Sequence, residues 1–325
     1  MFEISRRNLL AGAATAAAVG PFATAMAPAA AQAPAGSTNG VFRHALGDAE
    51  VIQILDGIRA IKFPEGFIAG LSREQTVAAF EAAYMPGGIF RNPYCPSVVK
   101  AGGKTIVIDT GNGIGAIAAT KGEVGHHRAN LQAAGIDANA VDIVLISHIH
   151  GDHIGGLKNP DGSPAYPNAE IKIAAVEWAY WTDESNMAKT PKPNQGNFAN
   201  VKKVFSGLKP TPFEAGKEVA PGITAVATPG HTPGHTSFVV ASGSRRVLIQ
   251  GDVALAPGVF VKHPEYQVMF DVQGDLAVET RKKLYDMAAA EKLPVIGYHF
   301  PFGTVSYVEK AGTGYSLVPA NAAIG

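Results

Sequence analysis

The stretch Ser147-His148-Ile149-His150-Gly151-Asp152-His153-Ile154-Gly155-Gly156 decides how the rest of the chain is read. It is approached by Val141-Asp142-Ile143-Val144-Leu145-Ile146, a short β-branched apolar run that predicts a buried strand ending where the histidines begin. Three imidazoles and a carboxylate, all groups that bind divalent metals, therefore stand at a strand's C-terminal edge. His148 and His150 are two apart and can point the same way from an extended backbone, whereas Asp152 and His153 fall beyond the turn and can face a second position. One motif can thus feed two metals. Gly151, Gly155 and Gly156 supply the small residues a tight, preorganised turn requires.

Further apolar runs end in the same way. Ile223–Thr228 delivers Pro229-Gly230-His231-Thr232-Pro233-Gly234-His235, Arg245–Gln250 ends in Gly251-Asp252, and Pro294–Tyr298 ends in His299. Earlier, Ser97–Lys100, a Gly102-Gly103 turn and Thr105–Asp109 predict a hairpin running into Asp109-Thr110-Gly111. Thr105–Asp109, a helix near 130–134 and Asp142–His148 are echoed by Arg246–Asp252, a helix around 278–291 and Val295–His299. Both halves read strand, Asp, helix, strand, His. This repetition predicts two related sheets packed face to face with helices outside, a four-layer αββα sandwich of mixed sheets.

The remaining chain fits around these elements. Residues 1–31 carry Ser5-Arg6-Arg7-Asn8-Leu9-Leu10 and an Ala-rich run, the pattern of a twin-arginine (Tat) signal, so export to the periplasm or medium is expected. The run is interrupted by Gly20 and Pro21, which argues against a stable membrane anchor. Residues 32–44 read as a flexible leader and 45–325 as one domain. Lys+Arg and Asp+Glu each number 27, so no charge excess points to nucleic acid. Cys95 is the only cysteine, which excludes an intrachain disulfide and suits packing. Ser72 and Gln75 predict a capping box opening a helix through about Tyr84. His126 and His127 read as surface histidines without a role. Residues 188–197 read as an irregular polar loop, and Trp178, Tyr180, Trp181 and Phe198 cluster around it. Trp178, Trp181 and Phe198 are accordingly candidates for an aromatic wall against an apolar substrate.

At HxHxDH the chain resembles the metallo-β-lactamase superfamily, and across roughly residues 45–325 it is most similar to the group of methyl parathion hydrolase and N-acyl homoserine lactonases. The resemblance implies that His148, His150 and His231 bind one metal, that Asp152, His153 and His299 bind another, and that Asp252 is shared. His235 and Asp109 are then buttresses behind the ligands. Two divalent ions, zinc first, about 3.5–4 Å apart would share a water and deliver a bridging hydroxide, with Asp152 and Asp252 as the carboxylates closest to the chemistry. The implied activity is hydrolysis of a lactone or carboxylic ester, of the acyl-homoserine-lactone or aryl-ester kind. The alternative is a phosphotriester, and more remote readings are a noncatalytic metal-binding member or a mononuclear iron dioxygenase. Asp252 stands where several metallo-β-lactamases carry Cys, and His150 stands where flavodiiron proteins carry Glu. The expected partner is a small apolar ester or lactone; a homodimer is left open.

Overall fold

The computed structural model describes residues 37–320 apart from Asn39 and Pro86, so the twin-arginine segment lies outside the described residues. The expected leader ends sooner than residue 44. Ser37–Thr38 is a strand, and Val41–Leu46 pairs antiparallel with Ala49–Ile54 from Val41↔Ile54 to Leu46↔Ala49. Pro, Gly and Ser just upstream mask this strand in the sequence, but Val41 and Leu46 are buried and anchor it.

Among the described residues two large sheets form the core, one of eight strands and one of seven. Alternation along the strands sorts their side chains into three apolar layers. In the first sheet Val98, Val107, Val144 and Ile146 face outward onto Leu131, Trp181, Phe198, Val201 and Phe205 of the covering helices. Their neighbours Val99, Ile106, Ile108 and Leu145 face inward and meet Ile223, Phe238, Val247, Ile249 and Ile296 of the second sheet. On that sheet's far side Leu248, Val295 and Val308 pack under Leu284, Tyr285 and Ala288 of the helix Gly274–Ala290. This is the four-layer αββα sandwich expected from the strand pattern.

The duplication read in the sequence is present in the pairing. Lys104–Ile108 runs parallel to Ile143–Ile146 in one sheet, and Arg245–Ile249 runs parallel to Val295–Ile296 in the other. Each parallel pair ends on the same edge of its sheet, which collects the polar strand ends. A separate two-stranded antiparallel sheet, Gly57–Lys62 with Ile89–Tyr94, lies outside both large sheets. The capping box forms as expected: Gln75 N–H donates to Ser72 Oγ at 3.2 Å, and Ser72 N–H donates to Gln75 Oε1 at 2.8 Å. Cys95 is buried and packs near the Phe300 carbonyl. His127, expected at the surface, is buried instead, because its N–H is one of four donors drawn onto the buried Asp56 carboxylate.

Candidate metal centre

The strand Ile143–Ile146 ends at Ser147, and the chain then folds into a single helical turn, Gly151–Ile154. Gly155 and Gly156 are required by close approach rather than by dihedral angle. A Cβ on Gly156 would lie 2.0 Å from the Thr110 carbonyl, and one on Gly155 would lie 2.5 Å from that of Asn112. The loop after Asp109 therefore presses directly against the histidine loop. Asp109 holds a left-handed backbone, φ 62°, costly for a residue with a Cβ. Its carboxylate repays this by accepting from Ser147 N–H at 2.8 Å, Ser147 Oγ–H at 2.7 Å and His153 Nδ1–H at 2.8 Å.

Hydrogen-bond partners fix which nitrogen each histidine turns toward the centre. His153 Nδ1 donates to Asp109, His231 Nδ1 donates to Asp271 Oδ1 at 2.8 Å, and His299 Nδ1 donates to the Pro93 carbonyl at 2.7 Å. The Ser147 hydroxyl proton is committed to Asp109, so Ser147 Oγ accepts from His148 Nδ1–H at 3.0 Å. In all four histidines Nε2 is left to face the cluster. His150 differs, offering Nδ1, which lies 3.0 Å from both His148 Nε2 and His231 Nε2.

The atoms that could ligate a metal form two groups, His148 with His150 and His231, and Asp152 with His153, His299 and Asp252; within each they lie within 4.8 Å of one another. Asp252 Oδ2 joins the two. It is 3.0 Å from His299 Nε2, 3.4 Å from His153 Nε2, 3.6 Å from His231 Nε2 and 3.9 Å from His148 Nε2. All seven residues named from the sequence are thus brought together. His235 stands behind them, with Nε2 accepting the Asp252 N–H at 3.0 Å and Nδ1 donating to Thr228 Oγ1 at 2.8 Å. Burial draws its pKa down to about 3, keeping it the neutral acceptor this contact needs.

The donor set fits two divalent cations. His153 Nε2 and Asp252 Oδ1 are buried with no hydrogen-bond partner, an arrangement that a protein interior tolerates when something else satisfies them. Charge points the same way. Burial would raise the Asp152 and Asp252 carboxyls, yet the adjacent His153 and His299 outweigh it and hold both well below the usual carboxylate range. Burial would lower His299, but Asp252 and Asp152 lift it to about 9. His148 and His150 are pushed down, first by burial and then by neighbouring imidazoles, and remain neutral. His148 and His150 are therefore neutral nitrogen donors, while the other half sets two ionised carboxylates against two imidazoles, His153 and His299, drawn toward the cationic form, a positive charge that bound cations would replace.

The aromatic residues expected to meet substrate are placed elsewhere. Trp181 and Phe198 are each 1% exposed in the outer helical core, and Trp178 packs on Phe205. Trp181 supports the centre from behind, donating its indole N–H at 2.8 Å to Glu177. A cavity of about 300 Å³ opens over the centre instead, with Ile61, Leu255 and Phe270 as its apolar side and Arg59, Asn92, Tyr94, Asn112, Asn194 and Asn197 as its polar side. The loop 188–197 does reach it, through Pro193, Asn194 and Asn197. Glu177, Asp271 and Asp56 escaped the sequence reading because no local pattern marks them; Glu177 offered only a lone carboxylate inside an otherwise apolar helical run.

An αββα sandwich with a His/Asp centre at the strand ends defines the class. The metallo-beta-lactamase superfamily profile matches residues 96–299, and the chain belongs to that superfamily. Among curated relatives, N-acyl homoserine lactonase of Bacillus sp. is 28% identical over 169 residues, covering 51% of this chain and 58% of that protein. The chain spans about half the length of the curated relatives it matches. Among solved structures, hydrolase AbOPH of the beta lactamase superfamily superposes with a TM-score of 0.78 at 25% identity, covering 88% of this chain and 99% of the other. The dizinc quorum-quenching lactonase AidC superposes with a TM-score of 0.78 at 22% identity, covering 87% and 98%, a likeness of fold.

Proposed function

We propose that this chain is a hydrolase that uses two divalent cations, zinc first, to cleave a lactone or carboxylic ester of a small molecule. The observation that carries this reading is the position of Asp252 Oδ2 between the two ligand groups, which suits a shared carboxylate. When bound, paired cations lower the pKa of a shared water toward neutrality and polarise the substrate oxygen. The chain's own part is to keep Asp152 and Asp252 ionised, to hold each histidine in the ligating tautomer, and to offer buried Asp252 Oδ1 as an acceptor for the attacking water's proton. The lactonase relatives support a lactone, and the apolar arc of Ile61, Leu255 and Phe270 suits an acyl or aryl group.

Zinc-loaded full chain assayed against acyl-homoserine lactones, aryl esters and paraoxon-type triesters is expected to favour lactones or esters by about tenfold or more in kcat/KM. Chelation is expected to abolish turnover, and Asp252→Ala to lower kcat by roughly 10²–10⁴. Turnover that survives chelation, a preference for triesters, or a single iron per chain would each overturn the reading. The twin-arginine segment belongs to the same proposal as an export signal: Arg6→Lys with Arg7→Lys is expected to retain the protein in the cytoplasm on cell fractionation, and undiminished export would refute it. Among the described residues no helix is long and apolar enough to cross a membrane.

A further inference from the structure

We infer that Tyr94 is the hydrogen-bond donor to the substrate oxygen in the cavity shared with Asp152, Asp252 and His299, an inference that rests on the hydrolytic reading above. Tyr94 ends the strand Ile89–Tyr94, is 6% exposed and forms part of the cavity wall. Its ring stands edge-on to that of His299, with centroids 5.0 Å apart and planes at 80°. The residue is therefore held by packing beside one of the ligands that closes the centre.

Three other donors near the centre are already engaged. The Tyr298 hydroxyl donates at 2.6 Å to the Asp152 carbonyl, and its ring packs 4.0 Å from that of His153. Asn112 Nδ2 donates to Asp56 Oδ2 and Asn194 Nδ2 to the Phe270 carbonyl, each at 2.8 Å. Asn92 lies two residues before Tyr94, on the same face of the strand, and also lines the cavity. It is 5% exposed, and its Oδ1 is buried without a partner. This strand thus presents polar groups to the cavity where a polar ligand would satisfy them.

In this role Tyr94 keeps its proton throughout. Its contribution is a hydrogen bond that strengthens as the substrate's carbonyl oxygen gains negative charge, with no bond of Tyr94 made or broken.

The test is Tyr94→Phe in the zinc-loaded full chain, read in three ways. Against whichever lactone or aryl ester the wild type turns over, kcat is expected to fall roughly 10²-fold with little change in KM. Bound zinc per chain is expected to match the wild type, and affinity for inorganic phosphate, an oxyanion probe measured by calorimetry, to weaken about tenfold. Unchanged kcat, unchanged phosphate affinity, or a fall in kcat matched by lost zinc would overturn the proposal, the last by making Tyr94 a packing residue. Should the wild type turn over nothing in the panel, the hydrolytic reading fails on its own, and the phosphate measurement alone decides the donor.

Discussion

Glu177 is fully buried, and four donors from three segments converge on its carboxylate. Ile149 N–H reaches Oε1 at 2.7 Å and the Trp181 indole reaches it at 2.8 Å, while Thr232 Oγ–H and Gly234 N–H reach Oε2, each at 2.8 Å. Only an ionised carboxylate can accept all four, and burial opposes that ionisation by raising its pKa. One side chain thus ties the loop bearing His148 and His150 to the loop bearing His231. Glu177→Gln sets an NH₂ against two of those donors, so we expect a loss of about 2–4 kcal/mol in denaturant melts. Cation affinity, measured by competition with a coloured chelator, should fall roughly 10–100-fold. Wild-type affinity in this variant would mean that the loops hold their places without Glu177. Asp271 serves His231 in the same fashion, accepting from its Nδ1–H through Oδ1 and from Val268 N–H at 3.0 Å through Oδ2. Asp271→Asn should weaken cation binding by about tenfold, and retained affinity would show that packing alone orients the ring.

Between elements, the pair His44 and Gln53 joins the first strands to the turn that follows His299. Gln53 Nε2 donates to His44 Nε2 at 2.9 Å and to the Thr304 carbonyl at 3.1 Å, and Gln53 Oε1 accepts Gly303 N–H at 3.3 Å. The contact requires His44 to be neutral at Nε2, and burial draws its pKa from 6.5 down to about 4. The unfolded chain therefore takes up a proton at a higher pH than the folded one. Stability from this group is complete above about pH 6.5 and drains away as pH falls toward about 4, by up to about 3 kcal/mol. His44→Gln keeps an acceptor for Gln53 but cannot titrate. Its denaturant stability should lose less than the wild type's over that window, and parallel pH profiles for the two proteins would rule the linkage out.

At the scale of the whole molecule, what could be read in advance was what repeats locally. HxHxDH and the strand ends at His231, Asp252 and His299 are patterns within a few residues, and the alternation of Val144, Leu145 and Ile146 already encodes two faces for a central strand. Glu177 and Asp271 act on partners dozens of positions away, so no window of sequence reveals them. Trp181 and Phe198 were misplaced because closeness to a loop says nothing about which face of a helix a side chain takes. The same long-range geometry gives the last prediction. The loops after the first sheet's strands supply His148, His150, Asp152 and His153, whereas the second sheet's strands lead to His231, Asp252 and His299. Cations held by both groups would bind the folded chain and not the unfolded one, each adding about 2.7 kcal/mol at a hundredfold excess over its Kd. For a chain of this size, removing both corresponds to a fall in Tm of roughly 10 °C. Calorimetric melts with and without chelator test this, and readdition of zinc should restore the loss. An unchanged Tm would mean that the sandwich closes on its apolar layers alone, leaving the centre to chemistry.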